Sequence, residues 1–153
     1  FCYFLNLTEE KVKSVNDFAK KISCDIITIP YLHNEAEKYS SQFSGKLVSA
    51  IDPADFLNLI RNAEVVLTDS FHATVFSIIF QKDFWCFGRN AGSYSMNTRL
   101  YTLLGYVGMQ ERMIDPENLQ NKNRNNPINI DLHNLERKRM ESIAFLNKAL
   151  KKI

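Results

Sequence analysis

The sequence predicts an α/β sandwich of three layers built on one mostly parallel sheet of five or six strands. Two runs, Val65-Val66-Leu67 and Phe84-Trp85-Cys86-Phe87, are apolar on both faces, as strands covered by helices on both sides must be. Strand-like and helix-like segments alternate along the whole chain, with no internal repeat and no low-complexity stretch. The length of 153 residues, 45% of them hydrophobic, suits one domain with a sizeable core.

Each element follows from local pattern. Phe1 to Leu7 is a short apolar run that reads as a buried strand. Thr8 can cap the next helix, with Glu9 and Glu10 in its first turn, and Val12, Val15, Phe18, Ala19 and Ile22 hold helical spacing. Asp25 to Pro30 is a second strand, stopped by the proline. Residues 31–45 are polar and without period, which predicts a loop. Lys46 to Ala50 reads as a short third strand. Asp52-Pro53 is a helix start, aspartate as cap and proline at the first helical position, with Phe56, Leu57, Ile60 and Ala63 as the inner face. Glu64 to Thr68 is the fourth strand. Ala73 to Gln81 is apolar all round and predicts a helix buried on every side. Asp83 to Phe87 is the next strand, and Gly88 to Met96 a loop. Asn97 to Leu104 predicts a helix ending near Gly105, and Arg112 to Asp115 an edge strand. After an Asn-rich connection over 116–131, Leu132, Leu135, Ile143, Leu146, Leu150 and Ile153 mark a long closing amphipathic helix.

Composition excludes several classes. A formal net charge of +2 argues against nucleic acid as a partner. Residues 121–153 carry eight Lys/Arg against three Asp/Glu, a bias that suits a solvated helical face. Cys2, Cys24 and Cys86 form no paired motif and read as buried free thiols of a reducing compartment. No apolar stretch has the roughly 18–20 residues of a membrane span. Three scattered histidines define no metal site, and neither common glycine-rich phosphate loop is present. The chain opens on Phe1 within a strand-like run, which predicts a segment of a longer protein.

Ligands of open parallel sheets bind beyond the carboxyl ends of the strands. Asp69-Ser70-Phe71-His72 lies at such an end, where a buried strand turns into a helix. The first N–H groups of a helix lack internal partners and favour negative charge. Ser70 can serve as cap or hold an anionic oxygen. His72 can move a proton or donate a charge-assisted hydrogen bond, or be a packed, hydrogen-bonded histidine. Arg89, in the loop after the following strand, and Arg99, in Asn97-Thr98-Arg99, suit a doubly anionic ligand or a solvent-exposed surface. His33 sits after the second strand at the same end of the sheet, and His133 at the start of the last helix.

The run from Asp52 to Phe84 resembles the hallmark segment of the polysaccharide pyruvyl transferase family. In that family a helix leads into a strand ending Thr-Asp-Ser-Phe-His-Gly-Thr, or with Arg-Leu-His in place of Ser-Phe-His, followed by a buried helix and a Lys-Pro-Phe strand start. This sequence has Thr68-Asp69-Ser70-Phe71-His72-Ala73-Thr74 and Lys82-Asp83-Phe84, so Ala73 replaces the usual glycine and Asp83 the usual proline. Asn97-Thr98-Arg99-Leu100 is similar to the Asn/Ser-Arg pair opening the next helix. The specific match covers about residues 50–112.

The resemblance implies a Rossmann-like domain, the C-terminal half of a two-domain fold like the GT-B glycosyltransferases. An N-terminal domain of similar size is then absent from this sequence, the final helix crosses back toward it, and the chain alone is inactive. It implies transfer of an enolpyruvyl group from phosphoenolpyruvate onto two hydroxyls of one sugar, giving a cyclic ketal and phosphate. By analogy His72 is the catalytic residue, and Asp69, Ser70, Phe71, Arg89 and Arg99 bind substrate. The acceptor is a sugar or lipid-linked saccharide, no cofactor is implied beyond phosphoenolpyruvate as donor substrate, and the expected location is the cytoplasm, with peripheral association at the inner membrane face left open. Two other readings remain at this point. A nucleotide-sugar glycosyltransferase of the same fold would need an acidic residue for a ribose, with Glu111, Asp115 and Glu117 on offer. An inactive binding module is the other, left open by Ala73.

Overall fold

A computed structural model describes residues 1–29, 42–89 and 94–150. Pro30, His33, most of the predicted 31–45 loop, positions 90–93 of the Gly/Ser/Asn loop and Ile153 lie outside the described residues. The six strands are β1 (Cys2–Tyr3), β2 (Ile27–Thr28), β3 (Lys46–Leu47), β4 (Val65–Thr68), β5 (Asp83–Phe87) and β6 (Met113–Ile114). All neighbouring pairs are parallel, in the order β3-β2-β1-β4-β5-β6. That is the doubly wound, Rossmann-like order, whose direction reverses between β1 and β4. The helices are α1 (Glu9–Ile22), α2 (Pro53–Asn62), α3 (Phe71–Ile79), α4 (Tyr94–Val107) and α5 (Leu132–Leu150), with 3₁₀ turns at Gln110–Arg112 and Pro116–Asn121.

β1, β2, β3 and β6 are each two residues long, shorter than the apolar runs suggest, and β1 pairs at two positions with β4 and at one with β2. β4 and β5 carry the core. Side chains alternate across a sheet, so Val65, Leu67, Trp85 and Phe87 face one layer and Val66, Phe84 and Cys86 the other. The first set packs with Val12, Val15 and Phe18 of α1 and with Leu119. The second packs with Ile60, Ala73, Ile78, Leu100, Leu104 and Val107 from α2, α3 and α4.

The capping residues act as their chemistry dictates. Thr8 accepts from Lys11 N–H, and Asp52 and Asp55 form a reciprocal capping box before α2. Gly45 has no room for a side chain: an added Cβ would lie 2.2 Å from the Ile26 carbonyl oxygen, where β3 closes on β2. α4 runs past Gly105 and stops at Gly108, whose φ of +69° is the left-handed conformation that ends helices.

Three expectations change. α3 is not buried on every side: its inner face is Ala73, Thr74, Ser77 and Ile78, while Ile79 is 61% exposed. Small residues on the inner face let the helix lie close to β4 and β5, which leaves the bulky ones outside. Cys24 is only partly buried, unlike Cys2 and Cys86, and all three are free thiols. Burial pushes the Cys86 thiol up to about 12, so it stays protonated and unreactive at neutral pH. The closing helix is present, but only its first turns pack. Asn134 Nδ2 donates to Tyr106 O at 2.9 Å, while Met140, Phe145, Leu146 and Leu150 are all more than half exposed. No helix among the described residues is long and apolar enough to cross a membrane.

Asp83 begins β5 and pairs with the buried Arg112 guanidinium. Arg112 also donates to the carbonyls of Phe84, Asn126 and Pro127, and the Asn126 N–H donates to Asp83 Oδ2 at 3.0 Å. This network fastens the Asn-rich connection beneath β5 and β6. Removing one member of a buried pair strands the other charge. Asp83→Ala is therefore expected to lower unfolding free energy by roughly 3–5 kcal/mol in urea titration. A loss below about 1 kcal/mol would mean that the carbonyls alone satisfy Arg112.

Candidate active site

The site is built at the reversal point between β1 and β4, where α1 and α3 leave for opposite faces. Thr68 ends β4 and ties it to β1, its Oγ1 donating to Tyr3 O at 2.6 Å and accepting from Ser70 N–H at 3.0 Å. Asp69 follows, fully buried. Its carboxylate accepts from Leu5 N–H at 2.7 Å, from Asn6 N–H at 3.1 Å and from Lys11 Nζ at 2.9 Å. Lys11 Nζ also donates to Asn6 O at 2.7 Å. Burial holds the Lys11 pKa below the ordinary lysine value, and the neighbouring Asp69 works against that shift. Arg89 Nε donates to the Asp69 carbonyl at 3.0 Å, and the Arg89 backbone is clamped by Asn97, whose Oδ1 accepts from Arg89 N–H at 3.0 Å.

Ser70 is buried, and its Oγ accepts from Ala73 N–H as the cap of α3. Asp69 and Ser70 thus face inward and shape the turn. Beyond them the chain emerges: Phe71 is half-buried and His72 exposed. Helix geometry gives the N–H groups of Phe71 and His72 no internal partner, so this end of α3 suits an anion. The His72 ring stands edge-on to Phe71 with centroids 5.9 Å apart, and the Arg99 guanidinium lies 5.1 Å over the same Phe71 ring. A groove of about 260 Å³ opens beside them, lined by Phe71, Arg99, Thr98, Thr102, Leu103 and Tyr106.

Of the residues singled out from sequence, Phe71 and Arg99 line the groove, and His72 stands against Phe71 outside that lining. Arg89 braces the back of the turn and is not part of the groove lining. His133 is exposed in the first turn of α5. Asp115 and Glu117 border a hollow near Lys11, and Glu111 stands 3.8 Å from Arg112. Ala73 lies inside α3 and is not among the residues with positive φ, so the usual glycine is not required by the backbone there. Sequence reasoning missed Lys11. The signal was present, since residues 11, 15, 18, 19 and 22 share one helical phase and put this lysine in line with the apolar stripe of α1. Among the described residues no three His, Cys, Asp or Glu side chains gather as a metal site needs.

A buried acid sits at the strand reversal of this doubly wound domain, with an exposed histidine at the helix start that follows and an arginine of α4 over the Phe71 ring between them. The family model for polysaccharide pyruvyl transferase matches residues 2–90, more than half of the chain and all of β1 to β5. The chain belongs to the polysaccharide pyruvyl transferase family, a family of transferases acting on polysaccharide acceptors. Searches of curated proteins and of solved structures found no match.

Asp69 holds three partners where Lys11 holds two, so the pair should respond unequally to truncation. Asp69→Ala strands two backbone N–H groups and a buried ammonium, with an expected cost of roughly 3–5 kcal/mol. Lys11→Met keeps the carboxylate bonded to both N–H groups, with Arg89 Nε 3.7 Å away, and should cost clearly less. Equal losses in urea denaturation would contradict this asymmetry.

Proposed function

We propose that this domain carries the donor half of a pyruvyl transfer. Phosphoenolpyruvate gives its enolpyruvyl group to two hydroxyls of one sugar, forming a cyclic ketal. The observation that carries the reading is the exposed His72 in the first turn of α3, sharing the Phe71 ring with Arg99 at the carboxyl edge of the sheet. The reaction needs a proton delivered to the donor methylene carbon, which leaves cationic character on the adjacent carbon. One sugar oxygen bonds to that carbon and loses its proton, the carbon–oxygen bond to phosphate breaks, and the second sugar oxygen bonds in its place. Of the two hydroxyl protons released, one balances the proton taken up by the methylene and the other leaves with phosphate.

In this reading His72 exchanges the proton. Arg99 and the N–H groups of Phe71 and His72 hold the donor's carboxylate and phosphate. Phe71 forms the wall between His72 and Arg99. Asp69, Ser70 and Arg89 act on substrate through the turn that they hold. The domain would work as the C-terminal half of a GT-B-like pair, with an N-terminal domain closing the cleft and supplying contacts to the saccharide, so that the chain alone turns over no substrate. A cytoplasmic setting fits a phosphoenolpyruvate donor.

His72→Ala in the two-domain enzyme is expected to lower kcat by roughly 10²–10⁴-fold, the range for loss of a general acid or base. Donor binding is read separately by thermal unfolding. Phosphoenolpyruvate at about 100 times its dissociation constant should add about 2.7 kcal/mol, and Arg99→Ala should reduce that gain. Unchanged turnover removes His72 from the mechanism. Stabilisation by a UDP-sugar instead of phosphoenolpyruvate would make the enzyme a glycosyltransferase.

A further inference from the structure

The carboxyl edge carries a second hollow, away from the Phe71 groove. It lies over the ends of β5 and β6 and encloses about 290 Å³ between Gly88, Tyr101, Asp115, Asn118, Asn121 and Lys122. Another hollow of about 180 Å³ shares Gly88 and Asp115 with it and is bounded by Thr8 and Lys11. The larger hollow forms a trough over β5 and β6, distinct from the smaller one, which Glu10 and Glu117 also line.

We propose that this trough is a subsite for one neutral pyranose ring of the acceptor saccharide. The inference rests on the saccharide acceptor of the proposed reaction and adds where a sugar sits and which residues choose it. Size is the first argument. The volume falls at the lower end of the roughly 300–1,000 Å³ typical of small-molecule sites, which suits one ring better than a nucleoside diphosphate. Chemistry is the second. Sugar hydroxyls donate and accept at once, and the lining offers a carboxylate that accepts (Asp115) and two carboxamides that do both (Asn118 and Asn121). Tyr101, 54% exposed, adds an aromatic ring to the lining, a surface that suits sugar C–H groups.

Charge is the third. Asp115 and Lys122 offset each other, and the Lys122 ammonium is held 4.6 Å over the Trp85 ring. The Phe71 groove, by contrast, is walled almost wholly by apolar surface, with the Arg99 guanidinium held over the Phe71 ring. The trough thus offers a neutral polyol a polar, balanced lining that the groove lacks.

Saturation-transfer NMR on the two-domain enzyme tests this, with methyl hexopyranosides at millimolar concentration as probes. Transfer to ring protons of at least one glycoside is expected, severalfold weaker in Asn118→Ala and in Tyr101→Ala and unaltered in His72→Ala. The Asn118 backbone N–H donates to Asp115 O, so truncating its exposed side chain leaves the turn closed. Unchanged thermal midpoints confirm intact folding in both variants. Stabilisation by phosphoenolpyruvate should be equal in wild type and Asn118→Ala. No transfer from any glycoside, or transfer unchanged by both substitutions, overturns the subsite while leaving the donor reading intact. Loss of the phosphoenolpyruvate effect with glycoside transfer preserved overturns the donor reading and leaves the subsite standing.

Discussion

The Asp69 carboxylate is the interaction on which the rest of this domain depends. At the reversal between β1 and β4 the sheet loses its regular pairing, and the N–H groups of Leu5 and Asn6 have no strand to bond. A buried donor without a partner costs about 1–3 kcal/mol, and Asp69 supplies both with one. A carboxylate with no exposed surface requires a cation in turn, and Lys11 brings it from α1. One acid therefore sets the exit of β1, the start of α1 and the start of α3. The same bonds turn Asp69 and Ser70 inward, which makes Phe71 and His72 the first side chains of the turn to face outward.

Helix α3 extends that logic. Its inner face is small and partly polar. Thr74 Oγ1 donates to Ser70 O at 2.9 Å and lies 3.1 Å from Cys86 Sγ, and Ser77 Oγ donates to Ala73 O at 2.8 Å. Each hydroxyl is satisfied locally, so the helix can press onto β4 and β5 without stranded polar atoms. Close approach leaves no space inside for the large side chains. Phe71 thereby becomes a wall shared by His72 and Arg99, and an apolar sequence produces an open surface.

The carboxyl edge is held from the other side by β5 and its loop. Arg89 braces the Asp69 carbonyl, Asn97 clamps the Arg89 backbone to α4, and Gly88 lines the trough over β5 and β6. The Asp83–Arg112 network beneath fastens the connection at Asn126 and Pro127 against the same strands. The groove at Phe71 and the trough over β5 and β6 therefore both border α4.

Much of this was legible in the residues. Continuous apolar runs marked β4 and β5, Thr8 and Asp52-Pro53 marked helix starts, and the Asp69-Ser70-Phe71-His72 turn was legible as the passage from a buried strand into a helix. Such signals reach four residues or fewer, so the chain carries them before it folds. Strand order was not legible, because parallel pairing joins residues far apart in sequence. Nor was the division of labour within the turn, which left Asp69 and Ser70 inside and His72 outside. Local pattern made Lys11 another helix lysine and α3 a fully buried helix. Bonds from Asp69 to residues 58, 63 and 64 positions away decided otherwise. By itself the sequence determined the elements, their caps and the turn that carries the histidine. Tertiary structure decided which polar groups are buried and which stay exposed, because the cost of burying a charge depends on partners that only the folded sheet brings within bonding distance.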